Sequence, residues 1–370
     1  MFSTPFVLSF ALILSIPLLF LFAPRILPSK HVQISLPDEL DDLALFRRAS
    51  LASLHHNRRH NGAVSRLGVT NPKPKIAFLF LTNTDLHFAP LWDRFFEGNE
   101  ALFNVYVHAD PSQSPPSAAK GDGGGSVFDG RFIASKRTER ASPTLISAAR
   151  RLLATALLDD PLNSHFALVS QHCIPLHSFQ FTYKTLFAPP TIIASESNST
   201  RPNLTQFKGP VSFIEILSGE PQLWDRYTAR GENAMMPEVP FDRFRVGSQF
   251  FVLNRKHALL VIRDRRLWRK FKMPCLNVDS CYPEEHYFPT LLSMEDPNGC
   301  SRYTLTNVNW TDSVGGHPRT YKAPEISTDL IEKLRVSNSS YSTETGRVTW
   351  NLFSLLSTPL GNREKANCLE

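Results

Sequence analysis

The sequence predicts an α/β fold in which a largely parallel sheet is flanked by helices, with a single membrane-spanning helix ahead of it. Continuous apolar runs of strand length, such as KIAFLFL at residues 75–81, indicate strands buried on both faces. Helical segments separate these runs, and the short connections favour parallel βαβ units. The first 24 residues carry no charged side chain, and their length suits a helix that crosses a bilayer.

The N-terminus is predicted to be an anchor followed by a stem. Residues 6–22 form an apolar run that only two serines and one proline interrupt. An uncleaved anchor over residues 1–24, including a short cytosolic tip, fits better than a cleaved signal peptide, because the segment lacks a basic start and a small-residue cleavage site. Arg25 and Lys30 would then lie on the lumenal side, against the usual charge bias. Residues 25–74 are mostly polar and are interpreted as a stem or linker.

Length and charge exclude some classes of protein. With 370 residues, of which 42% are hydrophobic and 27 are Phe, the chain can form one large domain with a sizeable core. The net charge is +6 and the sequence pI is about 9.1. This mild excess would help to attract an anionic substrate such as a nucleotide diphosphate, but the chain lacks the concentrated basic stripe of a nucleic-acid-binding protein.

The predicted main domain spans residues 75–335 and alternates strands with helices in its first half. One helix begins at Pro90, and a longer one begins at Ser142 and Pro143, an N-cap followed by a favourable first position. Residues 111–126 are predicted to be a surface loop, because GDGGGS lacks the Lys and Ser or Thr of a phosphate-binding loop. Further strands are predicted at residues 103–107, 131–134 and 165–170.

The second half of this domain is less regular. A strand is predicted at residues 246–253 and a helix with a basic exposed face at residues 255–271. Such a face is usually only solvated. A short helix is predicted at residues 328–334, and residues 336–370 are interpreted as an atypical C-terminal tail.

The cysteines and the glycosylation sequons bear on whether the domain is lumenal. Cys275, Cys281 and Cys300 lie close together without a Cys-x-x-Cys pair, so a disulfide among these three is favoured over a zinc site, and the pairing stays open. Four Asn-x-Ser/Thr sequons, some of which would arise by chance, are candidate glycosylation sites: Asn198, Asn203, Asn309 and Asn338.

Two adjacent carboxylates form the richest group of reactive residues. Glu284 and Glu285 follow Pro283 in the stretch PEEHYFPTLL. Pro289 is expected only in the first turn of a helix, which puts the two glutamates at or just before a helix N-terminus. The helix dipole there favours an ionised carboxylate, as a general base requires. The alternative is that these acidic residues only complement the dipole.

Six blocks of the chain, in order, resemble plant members of the core-2/I-branching N-acetylglucosaminyltransferase family. They are KIAFLFLT, LWDRFFEGNEALFNVYVHADPS, RRLLATALLDDPLNSHFALVSQHCIPLHSF, RFRVGSQFFVLNRKHALLVIRD, the Cys-Cys-PEEHYFPTLL block and TNVNWTDSVGGHPRTY. The resemblance implies a GT-A-type, Rossmann-like fold, a type II Golgi membrane topology with a lumenal catalytic domain, an inverting mechanism, and no divalent metal or other cofactor. The implied partners are a UDP-sugar, with N-acetylglucosamine as the sugar, and a glycan or glycoprotein acceptor.

The lack of an Asp-x-Asp motif agrees with this resemblance. In many nucleotide-sugar enzymes with a Rossmann-like sheet, an Asp-x-Asp pair at a strand end holds a metal that neutralises the departing diphosphate. The corresponding strand end here reads SQHCIP, residues 170–175, and Asp-x-Asp occurs nowhere in the chain. If the chain is a transferase, positive side chains must therefore replace the metal.

The resemblance implies roles for particular residues. The family's Asp-Glu-His-Tyr motif falls on residues 284–287, which makes Glu285 the implied catalytic base. Without the resemblance, His108 would be interpreted as a strand-end histidine whose hydrogen bonds are satisfied. Asp110 would be interpreted as a turn residue before Pro111. The implied donor contacts are Thr82, Asn83, His108, Ala109 and Asp110, and the implied acceptor or phosphate contacts are Glu215, Arg226, Glu284 and Arg319.

Two departures from the family pattern bear on activity. Plant members usually carry Trp-Gly before the long helix, where this chain has Arg140-Ala141, and they end in a Phe-Ala-Arg-Lys-Phe-type block that residues 347–370 do not match. Loss of a cation that faces the diphosphate would remove stabilisation of the leaving group. The missing block would favour a rival function, a non-catalytic Golgi protein that binds glycans or organises enzymes. A second rival is a metal-dependent hydrolase that uses His108, Asp110 and other histidines.

Overall fold

The structure of the protein is a computed structural model that describes residues 39–61, 72–112, 125–187, 210–311, 318–319, 321, 323–337 and 349–356. The α-helices of these residues, α1 to α9 in chain order, are Glu39–Asn61, Ala89–Phe96, Pro143–Asp159, Phe179–Phe187, Leu223–Thr228, Arg255–Arg263, Arg266–Phe271, Pro283–Glu295 and Thr328–Arg335. The strands, β1 to β11, are Lys75–Thr82, Phe103–Ala109, Asn163–Ser170, Cys173–Pro175, Ser212–Glu215, Val252–Asn254, Cys300–Arg302, Thr306–Asn307, Val336–Ser337, Thr349–Trp350 and Phe353–Leu355.

Six strands of the described residues form a central sheet in the order β2-β1-β3-β6-β5-β7. β1 is parallel to β2 and β3, whereas β6 is antiparallel to β3 and β5. This mixed sheet flanked by helices fits a GT-A-like fold, and its parallel part confirms the α/β prediction. The carboxyl ends of β1, β2 and β3 lie at one edge, which is where ligands bind in open α/β sheets.

Aromatic side chains fill the space between β1 and the helix that follows it. The Phe78 ring packs against those of Phe96 and Trp92, with centroid distances of 4.9 and 5.9 Å. Trp92 is buried, and its indole N–H donates to the carbonyl of Cys173 at 2.9 Å. Because each large apolar side chain contributes about 1.5–3 kcal/mol on burial, this cluster fixes α2 and β4 against the sheet.

Three predicted elements differ from those observed. Residues 131–134 contribute only an isolated bridge to β2, and the strand predicted at residues 246–253 is reduced to the short β6. The helix predicted at residues 255–271 is divided into α6 and α7 at Asp264. An aspartate side chain can satisfy the free N–H groups of a helix start. At 2.9–3.1 Å, the Asp264 carboxylate accepts hydrogen bonds from the backbone N–H groups of Arg266, Leu267 and Trp268.

A helix lies in the segment that the sequence analysis interpreted as a stem or linker. α1 belongs to the same compact unit as the sheet and packs against α3. Phe46 and Ala49 of α1 are buried, and the carboxylate of Asp42 lies 2.7 Å from Arg151 and 3.2 Å from Lys136. The folded part of the chain therefore begins before residue 75.

The segment interpreted as an atypical tail also contributes to the fold. β9 pairs with β10, and β11 is the middle strand of a sheet with β4 and β8. Phe353 is fully buried, and its ring centroid lies 6.2 Å from that of Phe78. β11 is therefore part of the core, whereas residues 357–370 lie outside the described residues.

Several N-terminal and glycosylation predictions fall outside the described residues. The predicted anchor, residues 1–24, is one of them, and among the helices of the described ranges none has the length and apolar character needed to span a membrane. Asn309 is described, and its side-chain N–H donates to the Tyr321 hydroxyl at 2.9 Å, a bond that a glycan on this nitrogen would disturb. The other three sequons, at Asn198, Asn203 and Asn338, lie outside the described residues.

Candidate active site

The start of α8 holds the two predicted carboxylates. Pro283 is the first residue of this helix, and Glu284 and Glu285 lie in its first turn. Proline suits the first helical position, because its missing N–H would have no helical partner there. The N-terminal position of both glutamates, predicted from the sequence, is therefore confirmed.

Pro289 lies inside α8, so the prediction that it occupies the first turn of the helix was wrong. Pro289 has no N–H and so leaves the carbonyl of Glu285, four residues earlier, without its helical partner. The backbone N–H of Gly247 donates to this carbonyl at 2.9 Å. A loop outside the helix thus replaces the missing helical hydrogen bond at the residue predicted as the base.

A disulfide closes the loop just before α8. Of the three clustered cysteines, Cys275 and Cys281 are joined and Cys300 is a buried free thiol. Tyr282, the residue between the disulfide and the helix, has a φ of 35°. Positive φ is uncommon for a residue with a side chain, so the chain enters α8 in a constrained conformation.

Glu285 has one engaged and one free carboxylate oxygen. Its side chain is 24% exposed, and Oε2 accepts a hydrogen bond from Arg226 Nη1 at 2.6 Å. No residue within the described ranges donates to Oε1. The guanidinium of Arg226 also lies 5.2 Å from the centre of the Tyr282 ring. The ion pair therefore orients the carboxylate, while Oε1 is available to accept a proton from a bound molecule.

Glu215 lies beside this pair, at the end of β5. Its Oε2 accepts a hydrogen bond from the backbone N–H of Ser248 at 3.0 Å. Burial raises the pKa of Glu215; the Ser248 hydrogen bond opposes the rise, and the charges of Glu220 and Glu285 add to it. The structure thus brings together Glu215, Arg226 and Glu285, three residues that lie far apart in the sequence.

Glu284 points inward, in contrast to its predicted contact with acceptor or phosphate. It is 5% exposed, and Oε1 accepts a hydrogen bond from the backbone N–H of Ala141 at 3.0 Å, whereas Oε2 is buried without a partner in the described part of the chain. Burial raises the pKa of Glu284 to about 7, although its backbone hydrogen bonds and the charge of Arg140 act against the rise. Glu284 is therefore placed to hold the turn before α3.

The conformation of that turn would suit a glycine at position 141. Ala141 has a φ of 55°, in the left-handed region where glycine is favoured. The guanidinium of Arg140 lies 5.7 Å from the centre of the Tyr282 ring. A glycine at position 141 would remove the backbone strain of this turn. Arg140 places a cation close to Tyr282, the residue that precedes α8.

The predicted donor residues meet at the carboxyl edge of β1 and β2. Thr82 is paired with Ala109 in the sheet, and the N–H of Asp110 donates to the Thr82 carbonyl at 2.9 Å. Asn83, which follows β1, accepts a hydrogen bond from the side-chain amide of Gln171 at 2.6 Å. Asn83 is exposed, whereas the other four predicted donor residues are buried, so the backbone edge and Asn83 are the parts that a donor could reach.

His108 supports this edge from inside. Its Nε2 lies 3.0 Å from Arg151 Nη1 and 3.2 Å from the backbone N–H of Lys136, so Nε2 accepts and the ring proton is on Nδ1. Burial, and after it the charge of Arg151, together lower the pKa of His108 to about 4. His108 is therefore a neutral, buried histidine, but it is not a fully satisfied strand-end residue, because its Nδ1 has no hydrogen-bond partner in the described part of the chain.

Asp110 likewise organises the chain around it. Its two oxygens accept hydrogen bonds at 2.7–2.8 Å from the backbone N–H and hydroxyl groups of Ser112 and Thr138. Burial acts to raise the pKa of Asp110, but these hydrogen bonds outweigh it and hold the pKa below its ordinary value. With its oxygens engaged in this way, Asp110 behaves as a turn residue.

Arg319 is engaged within its own segment. Its Nη2 lies 2.6 Å from Glu325 Oε1, its guanidinium lies 5.2 Å from the centre of the Tyr321 ring, and its N–H donates to the Asn309 carbonyl. A contact to phosphate, as the sequence predicts, would have to replace or extend the Glu325 ion pair.

The described ranges contain no group of three His, Cys, Asp or Glu residues that could hold a metal ion. Sequence reasoning missed the loop residues Gly247 and Ser248, which contact both Glu215 and Glu285 through the backbone. The available signal was the glycine in VGSQFFVL, since an isolated Gly in a strand-like run often marks a close backbone approach.

Comparison with known proteins identifies the family of this chain. A model of the core-2/I-branching enzyme family matches residues 76–335, well over half of the chain. The chain is also similar to the glycosyltransferase BC10 of Oryza sativa subsp. japonica, with 29% identity over 306 residues that cover 75% of this chain and 69% of that protein. The matched residues include the β1–β3 edge and the whole of α8. The protein belongs to the core-2/I-branching family of glycosyltransferases.

Proposed function

We propose that this glycosyltransferase moves a sugar, N-acetylglucosamine, from a UDP-sugar to a hydroxyl of a glycan or glycoprotein, with inversion and without a divalent metal. The observation that carries the proposal is the Glu285 carboxylate, in which Arg226 holds Oε2 and Oε1 is free within the described residues. A general base needs a carboxylate that is fixed in place and still open to the proton it removes.

In the proposed reaction, the acceptor hydroxyl oxygen attacks the anomeric carbon while the bond from that carbon to the UDP oxygen breaks. The hydroxyl proton passes to Oε1 of Glu285, and the bonding electrons leave with UDP. Because this is a single displacement from the opposite side, the configuration at the anomeric carbon inverts. Glu215 lies beside the base and would accept a hydrogen bond from another hydroxyl of the acceptor.

Donor binding is proposed at the carboxyl edge of β1 and β2. Asn83 is the exposed side chain there, and His108 and Asp110 support the backbone from inside. Side-chain cations would neutralise the leaving diphosphate; Arg140 and Arg319 are the candidates, and Arg319 would have to move from Glu325. The missing Asp-x-Asp motif supports a metal-free reaction.

A Golgi location, with the domain in the lumen behind an N-terminal anchor, is part of the proposal. The Cys275–Cys281 disulfide supports it, because structural disulfides persist in oxidising compartments and are rare in the cytosol. The apolar, uncharged residues 1–24 provide an anchor of suitable length.

The test is ligand-induced stabilisation of the chain from residue 38 onward, with UDP and UDP-sugars in excess chelator. Beginning at residue 38 keeps α1, which packs on α3. A ligand at 100 times its dissociation constant stabilises a protein by about 2.7 kcal/mol, so a clear rise in melting temperature with UDP-N-acetylglucosamine is expected. No shift with any nucleotide, with or without Mn²⁺, would instead favour a non-catalytic protein.

A further inference from the structure

The loop of Gly247 and Ser248 connects the two carboxylates of the candidate site. The N–H of Ser248 donates to Glu215 Oε2 at 3.0 Å, and the N–H of Gly247 donates to the Glu285 carbonyl at 2.9 Å. Consecutive backbone N–H groups thus contact the side chain of one glutamate and the main chain of the other. This dipeptide therefore links the end of β5 to the first turn of α8.

Gly247 is pressed against the backbone of β5. A Cβ atom added to Gly247 would lie 2.1 Å from the carbonyl oxygen of Glu215 and 2.8 Å from its carbonyl carbon. Both atoms belong to the main chain of a sheet strand, so a side chain could fit only if the loop or the strand moved. Just before this point, Val246 and Leu217 exchange two backbone hydrogen bonds of 2.8 and 3.1 Å, which hold the loop in register with the strand.

The hydrogen bond from the Gly247 N–H to the Glu285 carbonyl also depends on the local backbone. The Glu285 carbonyl is open to it because Pro289 cannot donate the helical hydrogen bond. The Gly247 N–H therefore holds the main chain of the proposed base, while the Arg226 guanidinium holds its side chain at 2.6 Å. Displacement of the loop would shift Glu285 relative to Glu215 without removing any group that contacts a substrate.

We propose that Gly247 is a positioning residue, which sets the separation between the acceptor-binding carboxylate of Glu215 and the base Glu285. This role rests on the proposed function. A misplacement of about 1 Å, even from a residue outside the chemistry, can cost about 100-fold in rate. The donor edge at β1 and β2 is formed by other segments, so we expect it to keep its structure when the Gly247 loop is displaced.

The experiment compares full-length wild type with the Gly247→Ala variant and the Gly219→Ala variant as a matched control. Gly219 follows the same strand, and a Cβ added there meets nothing within 4 Å. We expect Gly247→Ala to lower kcat about 100-fold and to raise KM for the acceptor, with UDP affinity within about twofold of wild type; Gly219→Ala should leave all three unchanged. A merely structural role would lower the melting temperature and UDP affinity together, which would overturn the proposal.

If Gly247→Ala transfers sugar at a rate within about threefold of wild type, the positioning role is overturned but the proposed function is not. If the wild type itself is inactive, the proposed function fails, and the positioning role fails with it. If Gly247→Ala does not fold, hydrogen exchange of the wild type decides. The proposal requires the Gly247 amide to exchange at least about 100-fold more slowly than that of exposed Gly219, and equal rates would contradict it.

Discussion

Replacement of Asp42 in α1 by alanine is expected to destabilise the domain by about 3 kcal/mol. Its carboxylate oxygens lie 2.9 and 2.7 Å from two guanidinium nitrogens of Arg151. The Arg151 side chain is 5% exposed, so the variant would leave a nearly buried charge without its counter-ion. Loss of one partner of a buried pair costs about 3–5 kcal/mol, and the 14% exposure of Asp42 favours the lower end of that range.

The Asp42→Ala substitution is also expected to affect the donor edge. Arg151 donates to Nε2 of His108, so a displaced guanidinium would also remove a hydrogen bond that holds this buried histidine. We therefore expect UDP affinity to fall several-fold along with stability.

Urea unfolding of the chain from residue 38 measures the change. Glu39→Gln is the matched control on the same helix, because the Glu39 ion pair with Lys272 is 2.8 Å long but 38% and 33% exposed at its two side chains. Such an exposed pair contributes at most about 1 kcal/mol. At about 2.1 cal/mol/K of unfolding entropy per residue, a chain of this size loses roughly 1.4 °C of melting temperature per kcal/mol, so Asp42→Ala should melt about 4 °C below wild type. A loss no larger than that of the control would refute the reasoning.

Four further outcomes follow from the structure. Burial raises the pKa of Glu284 to about 7, so the folded state holds a proton that the unfolded state loses at about pH 4.3, and this group's contribution to stability falls as pH rises from about 4.3 to 7. Glu284→Gln should flatten that fall, by up to about 4 kcal/mol, in melting curves across this range. Ala141→Gly should keep or slightly raise stability, because φ is 55° there, and Ala141→Val should lower it by about 1–2 kcal/mol in urea titrations. Replacing Cys275 and Cys281 by serine should cost about 2 kcal/mol of stability and lower the transfer rate, because the loop before α8 loosens. Phe353→Ala should cost about 3–5 kcal/mol by calorimetry if β11 belongs to the core, whereas a dispensable tail would tolerate it.

The parallel part of the sheet could be predicted because its signal is local. The apolar runs of β1, β2 and β3 are long enough to indicate burial on both faces by themselves. The N-cap at Ser142 was equally plain, and the structure has its side chain accept from the Thr144 N–H at 3.2 Å. Strands and helix caps of this kind can be predicted without knowing their tertiary partners.

α1 could not be predicted in the same way. Its sequence is rich in charged residues, and its burial depends on partners such as Arg151 that lie about a hundred positions away. β11 is similar, because Phe353 is buried only where β4 and β8 pair with it. In both segments the tertiary contacts, and not a periodic pattern, decide that the chain is folded.

The candidate site, too, could be predicted only in part from the sequence. The helix N-terminus at Glu285 was predicted correctly, although from a wrong placement of Pro289. The family resemblance implied acceptor contacts for Arg226 and Glu215, whereas the contact of Arg226 with Glu285 is visible only in the structure. The inward orientation of Glu284 depends on the Ala141 N–H, which is 143 positions away and could not be inferred from the local sequence.

The most direct test of the account is the rate of sugar transfer by Glu285→Gln relative to wild type, with UDP-N-acetylglucosamine and chelator present. A general base contributes about 10²–10⁴-fold to the rate, so transfer should fall by that factor. Glutamine keeps the size of the side chain and can still accept from Arg226, so UDP affinity should stay within about twofold of wild type. A transfer rate close to wild type would contradict the assignment of Glu285 as the base.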